Sequence, residues 1–137
     1  MDAFDADAVI YAAAPGHPLG RRILALFRLT GTGIAGVGSV LLLPEVLGKP
    51  LRDGAADDVR ILAGLLARID LRPVDRATAD LATALSARYG LHAADAIHLA
   101  TAIGIGADRF ITNNRRDFPE TITELRVTYP EHLPDPV

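Results

Sequence analysis

Two spacings of apolar residue take turns along the chain. The stretch "PLGRRILALFRL" brings Leu19, Ile23, Leu26 and Phe27 to one helical face, and "DDVRILAGLLARI" does the same with Val59, Leu62, Leu66 and Ile69. "DAVIYAAA" predicts a helix that Asp7 can cap, and "PEVL" lies in one opened by Ser39 or by Pro44. "DRATADLATALSARYG" predicts a helix stopped by Gly90, and another spans 91–103 and ends at "GIGA". Short strand candidates fall between them: "AFDA", "TGIAGV", "DLRPV", "DRFIT" and "ELRVTY". "PGHP" reads as a turn, "GKPLRDG" and "NNRRDFP" as loops, and "PEHLPDPV" as an irregular Pro-rich tail from about residue 130.

Strands separated by helical stretches predict an α/β sandwich, with helices flanking a mostly parallel sheet of about five strands. The length of 137 residues suits one domain, 1–137, with no repeat or linker. The longest apolar runs, such as "GSVLLLP", are too short to span a membrane. Met1 leads directly into Asp2, Asp5 and Asp7 rather than into a basic and then an apolar segment, so no secretory signal is expected. Cysteine is absent, which excludes disulfides and thiolate metal sites and agrees with a cytoplasmic location.

Charge changes the picture less than its distribution does. A net charge of −3 speaks against nucleic acid as a partner if the charge is spread evenly. If four of the 17 acids share one spot, however, the remainder roughly balance the 14 basic residues. In an open parallel sheet, ligands sit beyond the carboxyl ends of the strands. Asp5 ends the first strand candidate, and Asn114 and Asp117 follow "DRFIT". Glu45 lies near the start of the helix after the second strand, and Asp95 lies one turn into the helix before "DRFIT". Asp95 is the hardest to explain as structure, because Ala93, Ala94 and Ala96 offer it no polar partner and a buried charge needs one. His98, three residues on and on the same face, can hydrogen-bond to it.

Carboxylates crowded together resist ionising unless a cation lies between them. Oxygen ligands without a His or Cys cluster favour Mg²⁺ or Mn²⁺ over zinc. Such an ion activates water and stabilises charge on phosphoryl oxygens, the chemistry of a nuclease or phosphatase. Each acid also has a plain structural use: Asp5 as a strand-end turn residue, Asp7 as a cap, Glu45 as a helix-dipole partner and Asp117 as a turn former before Pro119.

Taken together and in order, "FDADAVIYAA", "LLLPEVL", "LHAADAIHLATAIGIGADRFITNN" and "RRDF" resemble the PIN-domain family, most of all its VapC-type toxins from bacterial toxin–antitoxin pairs. The resemblance covers nearly the whole chain, and "AADAIHLATA…ADRFIT" is its most specific block. It implies a compact α/β sandwich with an acidic pocket and an Mg²⁺- or Mn²⁺-dependent endoribonuclease activity on RNA. It also implies a small antitoxin partner that blocks the pocket, and a homodimer. By position, Asp5, Glu45 and Asp95 match the family's first three acids, with Asp5 and Asp95 holding the metal. Asp7 matches a capping or supporting position, and Thr112 a hydroxyl beside the site. Many members carry Asp where this chain has Asn114; a branch has Asn there and an acid three residues later before Phe, which Asp117–Phe118 fits. Asp117 is thus the implied fourth acid, with Asn114 a neutral ligand or water holder.

Arg115 and Arg116 flank the implied pocket and suit phosphate contacts, as Arg21 and Arg22 do more remotely. The leucine-rich "PEVLGKPL" and "VRILAGLL" regions suit either core packing or protein contact. Two alternatives remain: a housekeeping PIN ribonuclease without an antitoxin, and a catalytically inactive PIN module that serves as a binding scaffold.

Overall fold

The computed structural model describes residues 1–14 and 16–136; Pro15 of the expected "PGHP" turn and Val137 of the tail lie outside the described residues. Five strands form one sheet: β1 (Asp2–Phe4), β2 (Gly36–Ser39), β3 (Ile69–Arg72), β4 (Arg109–Ile111) and β5 (Arg126–Thr128). Their order is β3-β2-β1-β4-β5, and every pairing is parallel. The helices are α1 (Ala6–Ala12), α2 (Pro18–Leu29), α3 (Leu42–Arg52), α4 (Ala56–Leu66), α5 (Arg76–Tyr89) and α6 (Ala93–Gly104), with a 3₁₀ turn at Pro130–His132. The expected parallel α/β sandwich is the fold that forms.

Side chains alternate across each strand and so divide the core in two. Ala3 and Phe110 face a cluster with Leu85, Leu99 and Phe118 under α5 and α6. Phe4 and Ile111 face the other side, with Val9, Ile23, Phe27, Leu42 and Leu66 from α1 to α4. Crossovers carry the chain from β1 to β2 and β3 on one side, and then to β4 and β5 on the other. The switch point therefore lies between β1 and β4, where Phe4 pairs with Ile111 and the Asp5 amide donates to the Ile111 carbonyl at 3.0 Å. A crevice opens at the carboxyl ends of strands at such a point.

Several local expectations shift. Asp5, not Asp7, caps α1, its side chain accepting from the Ala6 amide at 2.9 Å. Neither Ser39 nor Pro44 caps α3, which starts after Leu41; the Ser39 hydroxyl instead accepts the Leu41 amide at 3.1 Å. The "GKPLRDG" loop is helical as far as Arg52, with Pro50 inside. Pro44 falls in the first turn, where amides have no helical partner, whereas Pro50 forgoes the bond to the Val46 carbonyl and the helix ends two residues after it. Gly90 stops α5 as expected, at φ 69°.

The tail is irregular in outline but anchored. Leu133 is buried in the α1–α4 core, and the Arg22 guanidinium donates to the carbonyls of Glu131 and Leu133 at 2.9 and 2.8 Å. Arg21 and Arg22 both pair with Asp135. Gly20 lets α2 approach α1 closely, since a Cβ there would meet the carbonyls of Tyr11 and Ala14. No helix among the described residues is long and apolar enough to cross a membrane.

Candidate active site

The crevice at the switch point collects acids from four separate stretches of chain. Asp5 follows β1 and is buried. Its Oδ2 accepts the Thr112 hydroxyl at 2.8 Å, joining the carboxyl ends of β1 and β4. The same hydroxyl lies 3.5 Å from Asp7 Oδ1, but its single proton serves Asp5, the shorter contact. Thr112 Oγ1 in turn accepts the Asn114 amide at 3.1 Å. Asp7 accepts the Asn113 amide at 3.1 Å, and the Asn113 side-chain amide donates to the Tyr11 hydroxyl at 3.3 Å.

Asn114 and Asp117 form a closed local pair. The Asp117 amide donates to Asn114 Oδ1 at 3.3 Å, and Asn114 Nδ2 donates to Asp117 Oδ2 at 2.9 Å. Asn114 therefore holds Asp117 in place. Phe118, fully buried beneath, anchors the loop.

Glu45 reaches the crevice from the first turn of α3, and Asp95 from the first turn of α6. His98 pairs with Glu45, not with its helix neighbour Asp95: its Nε2 stands 2.5 Å from Glu45 Oε1. No hydrogen-bond donor among the described residues reaches Asp95, so its charge has no direct partner among them.

The electrostatics record this crowding. Burial pushes the Asp5 carboxyl up, and nearby Glu45 adds to the rise, against the opposing hydrogen bonds of Thr112 and Ala6. Burial and then Asp5 raise Asp7 to about 7. Burial, followed by repulsion from Asp5, Asp117 and Glu45, raises Asp95 to about 6. Burial opposes a charge on His98, but Glu45, Asp5 and Asp95 outweigh it and raise its pKa. As placed, no three His, Asp or Glu side chains among the described residues stand close enough together to grip an ion without adjustment. Burial and the neighbouring acids nonetheless make Asp5, Asp7 and Asp95 resist ionising, and the crevice offers hard oxygen donors with no thiolate among them, a set that suits a hard divalent cation.

The arginines divide. Arg115 lies over the Tyr129 ring, 4.2 Å from its centroid, and pairs with Glu131. Arg21 and Arg22 are taken up by the tail. Arg116 is exposed and has no ion-pair partner among the described residues. The bond from His98 to Glu45 was not legible in the chain, because it joins residues 53 apart. The nearest signal was a histidine that shares a helix face with Asp95 amid apolar residues.

A search among curated proteins finds no match. Among solved structures, the chain is similar to a toxin–antitoxin complex from Klebsiella pneumoniae (23% identity, 95% of this chain and 98% of that one, TM-score 0.72). It is similar also to VapBC2 from Rickettsia felis bound to a promoter DNA fragment (16% identity, 93% and 97%, TM-score 0.72). A third is DNA-bound VapBC from Salmonella typhimurium (21% identity, 94% and 97%, TM-score 0.72). The PIN-domain family model matches residues 3–122, which spans both sides of the crevice from β1 to the loop after β4, and the chain belongs to the PIN-domain family.

Proposed function

We propose that this chain is a metal-dependent endoribonuclease acting as the toxin of a VapC-type toxin–antitoxin pair. The observation that carries this reading is the gathering of Asp5, Glu45, Asp95 and Asp117 at the switch point, where Asp5 and Asp95 are held above their ordinary pKa by burial and by the other acids. A protein keeps such repulsion where a cation relieves it.

Asp5 and Asp95 would hold Mg²⁺ or Mn²⁺, with Glu45 and Asp117 completing the site. When bound, the ion supplies Lewis-acid stabilisation of phosphoryl charge and a lowered pKa for water. The chain's own residues do the rest. Thr112 fixes Asp5, and Asn114 fixes Asp117. Glu45 orients the attacking water and accepts its proton. Arg116, the uncommitted arginine of the loop, holds a flanking phosphate.

The antitoxin belongs to the same reading, by analogy with neighbours described as toxin–antitoxin complexes. A groove of about 370 Å³ between α1, α3 and α4 runs up to Glu45, with Ile10, Val46, Pro50, Ile61 and Leu62 in its walls. Ile10 and Ile61 remain 48% and 46% exposed there and present apolar surface to the groove. Glu45 and Asp58 line the same groove, with Asp53 taken up by Lys49, and suit an apolar segment carrying a basic residue. The homodimer and the cytoplasmic setting implied by the family complete the proposal.

The test is expression in cells of the parent and Asp95→Asn, with mapping of new RNA 5′ ends, alongside Mn²⁺ titration of the purified proteins. The expected result is growth arrest and discrete new ends from the parent alone. Equal toxicity from both, or cleavage unaffected by chelator, would refute the assignment.

A further inference from the structure

We propose that His98 is the positioning residue for Glu45: it fixes one carboxylate oxygen so that the other stays turned to the acids of the crevice. This rests on the placement of Glu45 in the metal-dependent site and adds to it the device that holds Glu45 there. The His98 side chain is completely enclosed, whereas that of Glu45 is 37% exposed. A glutamate that open has three rotatable bonds to immobilise, and ordering it costs conformational entropy. Among the described residues only His98 donates to its carboxylate, at 2.5 Å.

The contact also spans the molecule. Glu45 stands on α3, whose Leu42 and Val46 belong to one core cluster, and His98 stands on α6, whose Leu99 and Ala102 belong to the other. The hydrogen bond thus ties the two helical layers together at the carboxyl edge of the sheet, above the switch point. Plain packing does not account for the residue. His98 Nδ1 is buried without a partner among the described residues, a loss that leucine at the same position would avoid. The bond to Glu45 is what offsets it. Groups that orient a metal ligand from behind act by fixing its geometry, and their removal weakens metal affinity about 10–100-fold.

The experiment compares His98→Leu, His98→Gln and Glu45→Ala, together with His98→Leu in the Glu45→Ala background. Mn²⁺ affinity is read by calorimetry and folding by thermal melts. Positioning predicts that the leucine variant stays folded and binds Mn²⁺ about tenfold or more weakly, while glutamine, which can still donate, stays within about threefold of the parent. In the Glu45→Ala background, His98→Leu should then change affinity less than about twofold. Equal losses in both backgrounds, or a leucine variant that binds like the parent, would overturn the proposal. The ring ¹⁵N resonances of His98, compared in the parent and Glu45→Ala proteins, decide the case if the leucine variant does not fold. A shift upholds the pairing, and unchanged resonances overturn it. If the parent binds no Mn²⁺, the metal reading fails, and the same resonances still show whether His98 holds Glu45.

Discussion

Replacing Asp95 by Asn should stabilise the metal-free protein while abolishing its chemistry. In the folded state the Asp95 carboxyl is raised from 3.8 to about 6, first by burial and then by Asp5, Asp117 and Glu45. A rise of that size corresponds to about 3 kcal/mol against the ionised form. Asp95 is only partly buried, so solvent screening reduces this to about 1.5 kcal/mol. Its place in the first turn of α6 returns some favourable interaction with the helix dipole, about 0.3–1 kcal/mol. The net gain for Asp95→Asn at pH 7.5 is therefore about 1 kcal/mol, or roughly 3–4 °C in Tm for a domain of this size. The sign depends on pH. Because the folded state holds its proton more tightly, Asp95 contributes stability that is full below pH 3.8 and lost as pH rises through about 6. The advantage of the variant should accordingly vanish near pH 4. The assay is a set of thermal melts in EDTA at both pH values, repeated with 1 mM Mn²⁺, where the parent should gain and the variant should not. A variant less stable than the parent in EDTA at pH 7.5 would show that Asp95 is held by an attractive partner, and the argument for a cation site would fall.

The parent itself should lose stability in EDTA between pH 5 and 7.5, by roughly 5 °C in Tm, because Asp5, Asp7 and Asp95 all hold their protons above the ordinary range; Mn²⁺ should restore it, and a flat profile would contradict the crowding. Arg22→Ala should lower the urea unfolding free energy by about 1–2 kcal/mol and leave Mn²⁺ affinity unchanged, since Arg22 anchors the tail rather than the site. Arg116→Ala should raise KM for RNA and reduce the salt slope of binding by about 1. Arg115→Ala should act mainly on stability, because its charge is shared with Glu131 and Tyr129.

The layered fold was legible because helical and strand spacing alternate with clear stops, and the parallel sheet follows from that alternation alone. The acids were legible only as sequence neighbours of strand ends, a placement that Asp5 and the loop after β4 retain in the folded chain. What escaped was contact between distant segments. "GKPLRDG" looks like a loop because Pro50 and its glycines are rated by local preference, whereas the helix anchored by buried Leu42 and Val46 runs on to Arg52. Arg21 and Arg22 looked like phosphate ligands because nothing nearby in sequence uses them; their partners lie more than a hundred residues away in the tail. His98 looked like a mate for Asp95 by helical spacing, but a residue from another helix takes its nitrogen.

Hydrogen-bond donors, some local and some distant, are also shared unevenly among the acids of the crevice. A hydrogen bond donated to a carboxylate favours its ionised form and so offsets crowding. Asp5 has Thr112 and the Ala6 amide, Asp117 has the Asn114 side chain, and Glu45 has His98. Each donor also fixes the direction of the acid it serves, which a metal site needs as much as charge. Among the described residues Asp95 alone of the four has no donor, yet it is repelled by Asp5, Asp117 and Glu45. Of the four it is the carboxylate whose crowding no donated hydrogen bond offsets, which leaves that task to a cation. Of the four, its removal should therefore separate most cleanly the cost of the site to the empty fold from its contribution to function.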